Sequence, residues 1–236
     1  MKTNDKSNFQ CAKIIKGLNA LSHLMTNIRY NYFALDSIYK VREKIEDIEY
    51  KEVEYAFNNF ILTSSILKQY IKSFEKDLNT NYIKSKKYKK TVDSLFNNEW
   101  YLILLGMRNY LQHVFHFKIG SGNLFSDGDE EDLLIANYTL LKYDELHPNK
   151  PENIAFQRYF KYFFALPIMD FATENILLIE KFYHDYDKII HEHYKAMLAK
   201  YDKVKDVDQY AMDMHEIYLE NINSFNDKNV WNAPKP

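Results

Sequence analysis

The chain has 236 residues, with 31 Lys and Arg against 33 Asp and Glu and a formal net charge of −2. Hydrophobic residues make up 46% and charged residues 27%, the balance of a soluble globular protein with a sizeable core rather than of a disordered chain. Proteins that coat nucleic acid nonspecifically are usually basic overall, so any contact with RNA here has to run through a local patch.

Five Gly and five Pro are few breakers for this length and favour long helices over many short strands. Cys11 is the only cysteine, which excludes an intrachain disulfide and fits a reducing, cytoplasmic setting. No apolar run approaches the roughly 20 residues needed to cross a bilayer. Met1-Lys2-Thr3-Asn4-Asp5-Lys6 lacks the apolar core of a signal peptide. No membrane partner is therefore expected.

In chain order, a helix is predicted from about Phe9 to Ile48, where Ile14, Leu18, Leu21, Met25, Ile28, Tyr32 and Leu35 recur at helical spacing. A second fits Glu52 to Leu78, with Val53, Phe57, Phe60, Ile61, Ser64, Leu67 and Ile71 on one face. Asn79 to Lys90 reads as a polar, lysine-rich connection. A third helix is expected to begin near Thr91 or Asp93 as N-cap and to run through Trp100 and Leu102-Ile103-Leu104-Leu105 to about Phe117. It is apolar nearly all round and so central to a bundle. Gly106 lies inside it, where glycine costs roughly 1 kcal/mol against alanine, and is expected to admit another backbone at close range.

The glycines and acids from Gly120 to Asp132 then predict a flexible acidic loop. Leu133 to Leu141 reads as a short strand, pairing with Phe115 to Lys118 in a small hairpin. His147-Pro148-Asn149-Lys150-Pro151 is a breaker. A last helical region spans about Glu152 to Lys203, with Pro167 as a break or restart, and a shorter helix from Val207 to Ile222 follows. The fold class is mostly α, with long helices and a small β-hairpin. Residues 1–48 are expected to pack as an N-terminal helical segment on a helical domain of residues 49–225, before a frayed tail at 226–236.

The chemistry is concentrated in Arg108-Asn109-Tyr110-Leu111-Gln112-His113. Helical residues advance about 100° each, so Asn109, His113 and His116 share one face and Arg108 and Gln112 a neighbouring one. Arg108 and His113 are about 140° apart round the axis, and only the long arginine stem can bring the two groups together. Such a set can cleave RNA. The 2′-hydroxyl attacks the adjacent phosphorus, histidine moves protons near neutral pH, and a guanidinium binds two oxygens of a transition state that gains negative charge. The nucleophile is internal, so no metal or other cofactor is required and DNA should resist. The competing reading is a hydrogen-bonded pair that only fixes helix packing.

The hexapeptide resembles the Arg-x4-His motif of the HEPN superfamily, many of whose members are metal-independent ribonucleases. Asn109 fits the polar residue that often follows the arginine there. The resemblance is specific over these six residues and extends as a helical pattern over about residues 50 to 200. It implies a HEPN-like helical bundle and an endoribonuclease of phage defence, toxin or stress-response context. Arg108 and His113 would be catalytic and Asn109 supporting, with Gln112 and His116 as further support. It also implies a homodimer with the site at its interface, and an antitoxin or regulatory protein as a further partner. The alternative is a HEPN-like module that binds nucleotide or protein without cleaving.

Lys84, Lys86, Lys87, Lys89 and Lys90, interleaved with Tyr82 and Tyr88, suit an RNA backbone with stacked bases, or else a solubilising loop. His184, His191, His193 and His215 lack zinc-site spacing and read as a solvated face, so no metal is assigned. Tyr159 to Phe164 is expected to be core or dimer interface.

Overall fold

Six helices and a three-stranded antiparallel sheet make up the described part of the computed structural model, residues 3–41, 49–77, 85–114, 117–122, 132–136, 140 and 149–199. Two compact units divide the chain. Ala20–Ile190 is one, and Met1–Asn19 with His191–Pro236 is the other. In the smaller unit Ile14, Tyr194 and Leu198 are buried, and the rings of His193 and Tyr194 meet edge to face.

Helix α1 (Thr3–Val41) turns Leu21, Met25, Ile28 and Leu35 inward, as its apolar stripe requires. In α2 (Tyr50–Asp77) every residue of the expected inner face, Val53, Phe57, Phe60, Ile61, Ser64, Leu67 and Ile71, is buried. The Asn31 side-chain amide donates to Thr63 at 2.8 Å and ties α1 to α2. Arg29 grips Glu180 with two hydrogen bonds, of 2.5 and 2.7 Å, and ties α1 to α6 (Ile168–Leu198).

The expected third helix is two helices, because its start and its middle are set by caps. Ser85 accepts from the Tyr88 N–H and starts α3 (Lys86–Phe96) inside the segment read as a connection. The chain breaks at Asn97 and Asn98. Asn98 then accepts from the Trp100 N–H and starts α4 (Glu99–Val114). An asparagine that satisfies one of the orphan donors of a helix start is favoured at that position. In α4, Ile103, Leu104, Leu105, Gly106 and Met107 are consecutively buried, so the helix is central as expected. It packs against α2, α3 and α5 (Pro151–Tyr162).

At Gly106, α4 and α5 approach each other closely. A Cβ there would lie 2.4 Å from the Phe156 Cβ and 2.5 Å from the Glu152 carbonyl oxygen. The backbones meet because that atom is missing.

The sheet differs from the expected hairpin. Strand β2 (Asp132–Ala136) pairs with β1 (Gly120–Gly122), a few residues beyond Phe115 to Lys118, with Leu134 opposite Gly120. Its other edge takes β3 (Ala165–Pro167), with Leu134 opposite Pro167 and Ile135 opposite Leu166. A continuous apolar run suits this middle strand, whose Leu133, Leu134 and Ile135 are all buried. Pro167 is tolerated because β3 is an edge, and α6 restarts at the next residue. The last helical region is therefore α5, β3 and α6.

The core is aromatic. Phe57 meets Phe117 and Phe171, and Phe96 meets Tyr101 and Phe182. Of the cluster read as core or interface, Phe160 is buried, whereas Tyr162, Phe163 and Phe164 stand exposed at the corner between α5 and β3. Among the described residues, no helix is long and apolar enough to cross a membrane. The expected 207–222 helix and the tail lie outside the described residues.

Candidate functional site

The hexapeptide occupies the last turns of α4. Its apolar members hold the helix in place. Tyr110 and Leu111 are buried, and the Tyr110 ring stacks on Phe117 at 5.2 Å and meets Phe156 of α5 at 5.8 Å. Its polar members face outward from that anchor. Arg108 and Asn109 are half-buried, and Gln112 and His113 are exposed. Neither Arg108 nor His113 is sealed in the interior.

The spacing that puts Arg108 and Gln112 on one face has a direct consequence. Arg108 Nη1 donates to Gln112 Oε1 at 3.0 Å and to Asn109 Oδ1 at 3.2 Å. Those two bonds use both hydrogens of that nitrogen and fix the plane of the guanidinium. Among the described residues, nothing engages the edge formed by Nε and Nη2. A guanidinium edge of two parallel N–H donors matches two phosphate oxygens.

Asn109 is fixed in turn. Its Nδ2 donates at 2.7 Å to Oδ1 of Asn153, a buried side chain in the first turn of α5. Sequence reading did not find Asn153, because its partner lies 44 positions away and no local pattern marks it. The close crossing at Gly106 brings these first turns of α5 alongside the motif. Lys68 of α2 reaches Glu152 at 4.0 Å. Burial holds its ammonium below the usual lysine range, the neighbouring Lys72 adds to that, and Glu152 opposes it.

His113 is the basic residue of the last turn of α4. Among the described residues it makes no hydrogen bond to Arg108. His116 lies outside the described residues.

The lysine run is set apart from the motif. Lys84 lies outside the described residues, and Lys86, Lys87, Lys89 and Lys90 are exposed on α3. Lys86, Lys89 and Lys90 line an open groove of about 490 Å³ with Asp93 and Ser94. Tyr88 anchors this end of α3 by donating to Glu75 near the end of α2. Phe117, stacked on the motif's Tyr110, instead meets Phe57 near the start of α2. At 1.5 Å per residue, Phe57 and Glu75 are about 27 Å apart along the helix. The lysines therefore do not line the same cleft as Arg108.

Among the described residues, no three His, Cys, Asp or Glu side chains come together as a metal would require. His184, His191 and His193 are each exposed. His215 lies outside the described residues.

Chemically, the α4 end offers a fixed cation with a donor edge to spare, a clamped amide beside it and an imidazole open to solvent. No protein-family model matches the chain, and neither a curated protein nor a solved structure is found to be similar to it.

Proposed function

We propose that the chain is a metal-independent endoribonuclease of HEPN type acting on single-stranded RNA. The observation that carries the reading is the Arg108 guanidinium, pinned through Nη1 by Gln112 and Asn109 while His113 stands exposed on the same helix end. In this reading the Nε and Nη2 edge of Arg108 takes the scissile phosphate. His113 removes the 2′-hydroxyl proton, and the 2′-oxygen bonds to phosphorus. The bond to the 5′-oxygen breaks, that oxygen is protonated, and a 2′,3′-cyclic phosphate and a 5′-hydroxyl remain. Asn109 keeps the phosphate side of the site in register through Asn153. One imidazole serves one proton transfer at a time, and a homodimer would supply a second. The α3 lysines would grip the strand away from the cut. A cytoplasmic role in phage defence, as a toxin or in stress-linked RNA decay, with an antitoxin or regulatory protein as partner, belongs to the same proposal.

The test is purified protein with single-stranded RNA in EDTA. Cyclic-phosphate ends are expected, and His113→Ala and Arg108→Ala should each lower cutting by at least about 100-fold. Both should keep the wild-type melting temperature. Arg108→Lys should restore little, because an ammonium lacks the planar fork. Wild-type protein that cuts nothing, or variants that cut as well, would overturn the reading.

A second reading is favoured by one observation. The bonds from Gln112 through Arg108 and Asn109 to buried Asn153 form a ladder that joins α4 to α5. The same residues would then serve a non-catalytic module that binds nucleotide or protein. In that case Arg108→Ala lowers thermal stability, and RNA stays intact with either protein.

A further inference from the structure

Helix α2 has two seams. The inner one forms the core already described. The outer one is Glu52, Tyr55, Asn59, Leu62, Ile66, Gln69, Ser73 and Lys76, all of them exposed. Its intervals alternate three and four along its whole length, the repeat of a helix that meets another helix along one line. It is about 36 Å long. Its middle is apolar and open to water, with Leu62 41% and Ile66 48% exposed and Tyr55 69% exposed two steps outward.

The order of these residues is complementary to its own reversal. Two antiparallel copies centred between Leu62 and Ile66 set Leu62 against Ile66, Asn59 against Gln69, Tyr55 against Ser73 and Glu52 against Lys76. Apolar meets apolar at the centre, amide meets amide next, and acid meets base at the ends. Glu52 lies in the first turn of α2 and Lys76 in the last, so the antiparallel arrangement also opposes the two helix dipoles. A two-fold contact repeats each of these pairs on both sides of the axis. The amide layers matter for register, because a polar group in a seam disfavours a slipped pairing that would leave it against an apolar side chain. The bond from Asn31 to Thr63 brings α1 alongside α2, and Tyr30 and Phe33 of α1 are also exposed.

We propose that the outer seam of α2 is a homodimer interface, taking α2 of a second copy of this chain in antiparallel register. The occupant is argued from the charge and polarity matching of the stripe with itself, which no unrelated partner would require. The contact uses α2 and is separate from the meeting of two α4 helices that the nuclease reading expects, so it stands or falls apart from that reading.

Sedimentation velocity on the full chain tests it. A dimer is expected for the wild type up to about 100 µM, a range that covers weak association. The L62E/I66E variant should lose the association made through this seam and sediment more slowly than the wild type, with an unchanged helical circular dichroism spectrum. E52K and K76E should each weaken the dimer by about three- to tenfold, and the E52K/K76E double variant should restore it, since both end pairs are then reversed. In a C11S background, N59C/Q69C should cross-link between copies under oxidation and neither single variant should do so. A wild type that stays monomeric throughout, or an assembly whose sedimentation L62E/I66E leaves unchanged, overturns the proposal. So does binding of another molecule to the stripe while the chain remains monomeric.

Discussion

A missing methyl group at Gly106 sets the distance between the two helices that build the candidate site. Alanine in the middle of a helix is ordinarily better than glycine by roughly 1 kcal/mol. Here the sign reverses, because the new carbon would meet the Phe156 Cβ at 2.4 Å and the Glu152 carbonyl at 2.5 Å. Neither is the far end of a flexible side chain, so α4 and α5 must part. Gly106→Ala is expected to destabilise the protein by about 1–3 kcal/mol, the usual cost of overpacking, read as a lower midpoint in urea unfolding. The same shift would lengthen the 2.7 Å bond between Asn109 and Asn153 and loosen the amide beside Arg108. The close approach was legible in the sequence, since glycine has little other use inside so apolar a helix. Which backbone approaches was not legible, because Glu152 and Phe156 lie far along the chain.

At the scale of elements, caps decided what hydrophobic periodicity could not. A periodic stripe continues across a short break, so the α3 and α4 segments read as one helix. Asn98 separates them by accepting the Trp100 N–H at 2.9 Å. Asn98→Ala is expected to cost about 1 kcal/mol, as loss of an N-cap usually does, and to lower the thermal midpoint. Asparagine just before an apolar helical run was an available signal, and Thr91 and Asp93 competed for the same role. The lysine run belongs to a helix for a similar reason, since Ser85 caps it and lysine is a good helix former. The strands were harder. Ala165-Leu166-Pro167 is too short to show a period, and β3 exists only because Leu134, Ile135 and Ala136 of β2 offer it a ladder.

For the whole molecule, the most telling charge is a half-buried one. Asp132 opens β2, and burial pushes its carboxyl above the usual carboxylate range. The Leu133 N–H bond opposes that rise and the nearby Asp170 adds to it. The Tyr39 hydroxyl, close enough to feel both carboxylates, is buried without a hydrogen-bond partner among the described residues. A carboxyl whose pKa is higher folded than unfolded favours the fold only while it is protonated. Its contribution is fully present below the ordinary carboxylate value of about 4 and is lost as pH rises through the folded value. Asp132→Asn keeps an acceptor for the Leu133 N–H and removes the charge. The melting temperature of the variant relative to wild type is therefore expected to rise as pH goes from about 4 to about 7. A gap that stays constant or narrows would show that Asp132 is better solvated than its surroundings indicate.

The sequence by itself determined that the protein is mostly helical, which face of α2 is buried, that α4 is central, and that the chain restarts as helix after Pro167. These follow from contacts three and four residues apart, which a linear string records directly. Only the tertiary structure decided that Asn109 leans on Asn153, that β3 completes the sheet, and that the lysine face stands away from Arg108. Those depend on which distant segments become neighbours. That choice is made by the fit of whole faces against one another, and no local spacing encodes it.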